Sequence, residues 1–175
     1  MGSGIAQVFA QRGHTVTLRD LTPGDFDSPP FSLGGPTDYA FSPDSKELAV
    51  ASNHDKVEAT STNGDIWVVS VRGGGARNIT AANHGYDGSP RWSPDGRFIA
   101  YRSQATAGYE SDRFRLMLYD RKTNRARSIT ETLDSWVDEF VFTSDSQTIY
   151  LTAEERGRGP IYSVSVNGGP VKKVI

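Results

Sequence analysis

From residue 39 onward, apolar and polar positions fall into short runs that recur in the same order three times. The first line reads YAFSPDSKELAVAS (39–52), DIWVVSV (65–71) and ARNIT (76–80). The second reads PRWSPDGRFIAYRS (90–103), RLMLYD (115–120) and ARSIT (126–130), and the third FVFTSDSQTIYLTA (140–153), IYSVSV (161–166) and VKKVI (171–175). Ile161, Ser163 and Ser165 alternate with Tyr162, Val164 and Val166, the period of two shown by a strand with one buried face. Residues 47–51, 98–102 and 148–152 are short and apolar-rich, as half-buried or buried strands are. Phe41, Trp92 and Phe142 stand 51 and 50 residues apart, within reach of propeller repeats of roughly 40–50 residues. Each line therefore predicts four strands. The expected fold is all-β, a partial β-propeller of about three four-stranded blades over 39–80, 90–130 and 140–175.

The first 20 residues follow another rule. Apolar residues at 5, 6, 8, 9 and 10 lie among good helix formers, Gly13 sits where a helix would end, and 15–18 is β-branched. This predicts a short N-terminal helix-strand segment over 1–20, followed by a Pro/Gly-rich lead-in over 21–38. Within the repeats, Ser42-Pro43-Asp44-Ser45 and Ser93-Pro94-Asp95-Gly96 read as type I turns, in which proline presets φ and the aspartate bonds nearby backbone. Arg77, Arg127, Lys172 and Lys173 in the fourth strands suit a solvated edge, where charge discourages pairing. Longer polar connections at 54–64, 104–114 and 154–159 are the loops where binding would reside.

Composition narrows the chemistry. Cysteine is absent, which removes disulfides, thiolate zinc sites and cysteine nucleophiles. A net charge of −2 gives no electrostatic reason to expect nucleic acid or an anionic membrane as partner. No apolar run approaches the roughly 18 residues of a membrane span, and residues 1–13 do not read as a signal peptide; the compartment stays unknown. His14, His54 and His84 lack metal-binding spacing, so no metal is expected.

Over residues 19–175, the strings DLTPGDFDSPPFSLGG, GDIWVVSV, SPRWSPDGRFIAYRSQA, RLMLYDRKT and TAEERGRGPIYSV resemble the β-propeller of the prolyl oligopeptidase family of serine peptidases, of acylaminoacyl and dipeptidyl peptidase type. The SPDG turn alone also occurs in TolB-like propellers. The resemblance implies a propeller that restricts which peptides reach a separate α/β-hydrolase domain. It makes peptides, or that missing hydrolase domain, the expected partners. No G-x-S-x-G nucleophile elbow occurs in the sequence, so no catalytic residue is assigned and the chain is expected to be inactive alone. A TolB-like interaction module is the alternative.

Residues 1–20 instead resemble the dinucleotide-binding start of 3-hydroxyacyl-CoA dehydrogenases. Gly2 would be the third glycine of G-x-G-x-x-G and Asp20 the acidic ribose ligand. The first strand and first two glycines are missing from that motif, so no cofactor is expected and a dehydrogenase remnant is the third reading.

Dipeptidyl peptidases hold the substrate amine with a propeller glutamate pair, which makes Glu154 and Glu155 the candidate substrate contacts. Their surroundings, TAEERGRG, lack the aromatic flanks of that motif, and solvated hairpin charge beside Arg156 and Arg158 is the favoured alternative. Asp134 with Asp138-Glu139, and Glu110 with Asp112, are further carboxylate groups. Trp67, Trp92, Trp136, Phe41 and Phe142 are read as packing between blades rather than ligand stacking. Asn78-Ile79-Thr80 matches a glycosylation sequon but coincides with the repeat. Propellers close with roughly 4–8 blades. Three leave end faces open, and marginal stability or self-association through those faces is expected.

Overall fold

A computed structural model describes residues 38–175. The helix-strand reading of 1–20, with Gly2 and Asp20, lies outside the described residues.

Among the described residues, twelve strands form three four-stranded antiparallel sheets, each in chain order. The first holds β1 (Tyr39–Phe41), β2 (Glu47–Ser52), β3 (Asp65–Ser70) and β4 (Arg77–Asn78). The second holds β5 (Asp87–Trp92), β6 (Phe98–Ser103), β7 (Arg115–Asp120) and β8 (Arg125–Ser128). The third holds β9 (Val137–Phe142), β10 (Thr148–Ala153), β11 (Ile161–Ser165) and β12 (Lys172–Lys173). These are three consecutive blades of a propeller, as the repeat predicts.

The repeated turn between first and second strands shows why its residues recur. Ser42, Ser93 and Thr143 each give a hydroxyl to the aspartate two residues on. The same hydroxyls accept the N–H five residues on, from Glu47, Phe98 and Thr148 at 2.9, 2.8 and 3.1 Å. Asp44, Asp95 and Asp145 accept the N–H two residues on. The fourth turn position is left-handed in all three, with φ of 57° at Ser45, 71° at Gly96 and 62° at Ser146. Only the middle repeat places there the residue that tolerates it freely.

Alternation along the middle sheet puts apolar groups on both its faces. Ile99, Tyr101 and Tyr119 pack with Ala49, Ala51, Ile66, Val68 and Trp92 against the first sheet. Phe98, Ala100, Leu116 and Leu118 pack against the third sheet with Val137, Phe140, Ile149, Leu151, Tyr162, Val164 and Val166. Trp92 is buried in the contact with the first sheet and donates its indole N–H to Ala40 O at 2.9 Å, and Phe142 packs against the cluster with the third sheet. Phe41, at the same repeat position, is 56% exposed, so the packing reading fails for it.

The fourth-strand arginines correct the solvated-edge reading. Arg77 reaches across to the Tyr119 hydroxyl at 2.5 Å and to Asn124 Oδ1 at 3.3 Å, while the matching Arg127 donates to the Val166 carbonyl. Both tie their sheet to the next one. An extended arginine on a short edge strand has the length to cross to a neighbouring sheet, which strand-level reading does not reveal. Lys173 instead reaches Glu155 at 2.7 Å, within its own sheet.

ARNIT and ARSIT recur for a related reason: the buried Thr80 and Thr130 hydroxyls accept the N–H groups of Ile66 and Leu116 at 2.9 and 2.8 Å. The sequon threonine is thus a strand-closing residue.

Candidate functional site

In this meander the connections β2–β3, β4–β5, β6–β7, β8–β9 and β10–β11 all emerge at one end of the sheets. β5 and β9 each carry a register shift near that end, between Gly88 and Arg91 and opposite Leu151 and Ala153. Such bulges re-aim the residues beside them. Ser89, inside the first shift, is left-handed at φ 55°, and its N–H is held by Asp38 Oδ1 at 3.3 Å.

Around this end the middle sheet departs from its neighbours. Arg102 on β6 stands where the first and third repeats have Ala51 and Thr152, and Arg91 on β5 where they have Ala40 and Val141. The Arg102 guanidinium lies over the Phe114 ring, 4.0 Å from its centroid. Phe114 meets Tyr86 edge-on at 5.9 Å and Trp136 edge-on at 5.4 Å, so one aromatic row spans three loops. Tyr86 is packed so closely over Gly88 that a Cβ there would sit 2.5 Å from its hydroxyl oxygen, which explains glycine at that strand position.

The electrostatics of this rim are mixed. Burial lowers the Arg102 pKa, against the opposing pull of Asp138, Tyr86, Glu139 and Asp38. Its Nε is buried and has no hydrogen-bond partner, and among the described residues no carboxylate lies within 4.0 Å of the guanidinium. Burial raises the Asp38 carboxyl above its usual range, partly offset by the Ser89 N–H, Arg102, Tyr86 and Arg91. Tyr86 is pushed up to about 12, first by burial and then by the charge of Asp38. Trp136, Asp138 and Glu139 stay exposed beside the arginine. Such a rim offers a fixed guanidinium for a carbonyl-type acceptor, carboxylates for a cation and an indole for an apolar group.

Glu154 is exposed just after β10. Glu155 accepts from Lys173 at 2.7 Å and from the Tyr162 hydroxyl at 3.0 Å, and these bonds, the lysine first, hold its carboxyl below the usual range. The β10–β11 turn is tight, closed by backbone bonds between Glu155 and Arg158 with Arg156 and Gly157 left-handed. Neither glutamate belongs to the Arg102 row. Sequence reading singled out Asp138-Glu139 but passed over Arg102. The usable signal was its departure from the repeat, a charged side chain where both matching positions are small. Among the described residues no three His, Cys, Asp or Glu side chains gather as a metal site, and no helix is long and apolar enough to cross a membrane.

No protein-family model matches the chain. In sequence it is 32% identical over 168 residues to dipeptidyl-peptidase 5 of Porphyromonas gingivalis, a match covering 94% of this chain and 25% of that protein. That coverage takes in part of residues 1–20. Dipeptidyl-peptidase 5 of Arthroderma otae is 35% identical over 147 residues, covering 78% of this chain and 20% of the relative. In fold it resembles a TolB protein of Agrobacterium tumefaciens (TM-score 0.63, 22% identity, 79% of this chain and 45% of that one). A puromycin-hydrolyzing peptidase of Mycobacterium tuberculosis gives a TM-score of 0.61 at 18% identity, over 79% of this chain and 23% of that one. The chain is thus a three-bladed propeller portion homologous to dipeptidyl-peptidase 5, spanning about a quarter of the length of the P. gingivalis relative.

Proposed function

We propose that this chain is the substrate-admitting propeller part of a serine peptidase of dipeptidyl peptidase type, contacting peptides without catalysing their hydrolysis. The observation that carries this is the similarity to dipeptidyl-peptidase 5 across 94% of the chain. The absence of a G-x-S-x-G string from the sequence supports the non-catalytic part. Contact is assigned to the Arg102 rim: its guanidinium donates to a peptide carbonyl, Asp138 and Glu139 face a cationic group, and Trp136 covers an apolar side chain. Glu154 remains a second, more peripheral contact.

The test is a titration of the labelled chain with short peptides, followed by backbone amide shifts, beside an assay for dipeptide release. Shifts at Arg102, Trp136 and Glu139 that disappear in Arg102→Gln, with no hydrolysis, support the proposal. Hydrolysis blocked by a serine-directed phosphonate, or shifts confined to the turns at the opposite end, contradict it.

A further inference from the structure

The first and second sheets meet around a buried acidic pair that no peptide contact uses. Asp87, at the start of β5, is 1% exposed, and Asp65, at the start of β3, is 6% exposed. Asp65 Oδ1 accepts the Thr80 hydroxyl at 2.9 Å. Asp87 Oδ2 accepts Asn83 Nδ2 at 3.1 Å, but Asp87 Oδ1 is buried with no hydrogen-bond partner. A buried carboxylate oxygen lacking a donor, next to a second carboxylate, is among the costliest arrangements in a protein interior. Burial shifts this carboxyl towards the neutral acid.

What covers Asp87 is a clasp between two loops. Asn83 Nδ2 also reaches Ser103 Oγ at 3.3 Å and the Gln104 carbonyl at 2.9 Å. The Gln104 N–H donates to Tyr86 O at 2.8 Å, and its side chain donates to the Glu110 and Asp112 carbonyls at 2.8 and 2.6 Å. Gly85 lies so close that a Cβ would fall 2.1 Å from Gln104 O. Beyond the clasp lies an open depression of about 500 Å³, lined by Asn83, Asp87, Ser103 and Arg115 among others. The charged and titratable groups about Asp87 are Asp65 from β3, Tyr101 from β6, Arg115 from β7 and Glu131 from the β8–β9 connection. Asn83, Ser103 and Thr80 favour the ionised form but burial outweighs them, and water from that depression is the further donor open to an ionised Oδ1, which has no partner of its own.

We propose that Asp87 is a proton-operated latch: protonated, it keeps the 81–86 and 104–114 loops clasped, and ionised, it draws water in and releases them. The latch stands whether or not peptides bind. Its bearing on the Arg102 rim, through Tyr86 and Phe114, rests on the function proposed above.

The test is a carboxyl 13C titration of the labelled chain from pH 4 to 9, paired with limited proteolysis of the 104–114 loop. The expected result is a midpoint for Asp87 near the value of about 7 that its burial produces, with cleavage rising by at most about tenfold per pH unit as pH climbs towards that midpoint and levelling off above it. Asp87→Asn, permanently neutral, should leave cleavage flat and low. A midpoint below 5, or cleavage that is independent of pH, overturns the proposal. So does restored protection at pH 8 on adding Ca2+ or Mg2+, since the pair would then be a metal site. Where Asp87→Asn fails to fold, the wild-type midpoint and cleavage profile decide alone. No peptide enters these readouts, so a failed peptide titration leaves them standing.

Discussion

Both contacts between sheets hold an apolar cluster, but at two matching repeat positions they carry opposite chemistry. Between the second and third sheets, Val137 lies fully buried at the start of β9, and Phe98, Leu116 and Leu118 meet Ile149, Leu151 and Val164. Between the first and second, Asp87 occupies the place of Val137 and Glu47 the place of Phe98, and Glu47 pairs with Arg121 across the gap. Arg121 in turn lies over the Trp92 ring at 4.8 Å. The difference teaches that a blade tolerates charged groups at particular inter-sheet positions beside an apolar cluster. Strand pairing is settled within each sheet, and what lies between sheets is free to become polar, at a cost in stability and with a gain in responsiveness.

The sharpest way to break the comparison is to empty the apolar contact. Leu116→Ala removes a fully buried side chain and is expected to cost about 2–5 kcal/mol in denaturant unfolding. A loss below 1 kcal/mol would show that this contact is not the mainstay. Next comes Asp87→Asn. The folded carboxyl titrates near 7, above its ordinary 3.8, so folding takes up a proton between those values and stability falls as pH rises through the window. The asparagine variant should therefore gain up to about 4 kcal/mol over wild type at pH 8 and little near pH 4. Equal gains at both pH values would contradict the assignment.

Smaller effects sharpen the picture. Arg77→Ala and Arg127→Ala should each cost about 1 kcal/mol, since each removes a hydrogen bond between sheets. Lys172→Ala, exposed at the same position of the third repeat, should change stability by less than about 0.5 kcal/mol. Equal losses at all three would return the arginines to ordinary edge charge. Smallest of all, Ser45→Gly should stabilise by a few tenths of a kcal/mol, because it relieves a left-handed serine at an exposed turn. A thermal midpoint unchanged or lowered would refute that.

Much of this was legible in the sequence because the repeat is written twice over, in spacing and in turn chemistry. Ser42-Pro43-Asp44 and Ser93-Pro94-Asp95 locate their turns, and the alternation at 161–166 identifies Tyr162, Val164 and Val166 as buried, as they are. Less legible was anything that depends on a second sheet. Arg77 and Arg127 look like edge charge until the neighbouring sheet supplies Tyr119 and Val166. Asp87 looks like a loop residue until Asn83 and Ser103 close over it. Arg102 shows the same limit, since its departure from Ala51 and Thr152 marks it while only the fold brings Phe114 beneath it. Residues that break a repeat are where sequence and function part from the scaffold.

The most direct test is amide hydrogen exchange resolved by residue at pH 5 and pH 8, corrected for the intrinsic rate. If only the polar contact answers to protons, protection at Ile66 and Val68 of β3 should fall between the two pH values, while protection at Tyr162 and Val164 of β11 stays constant. Loss of protection in both strands together, or in neither, would contradict the account.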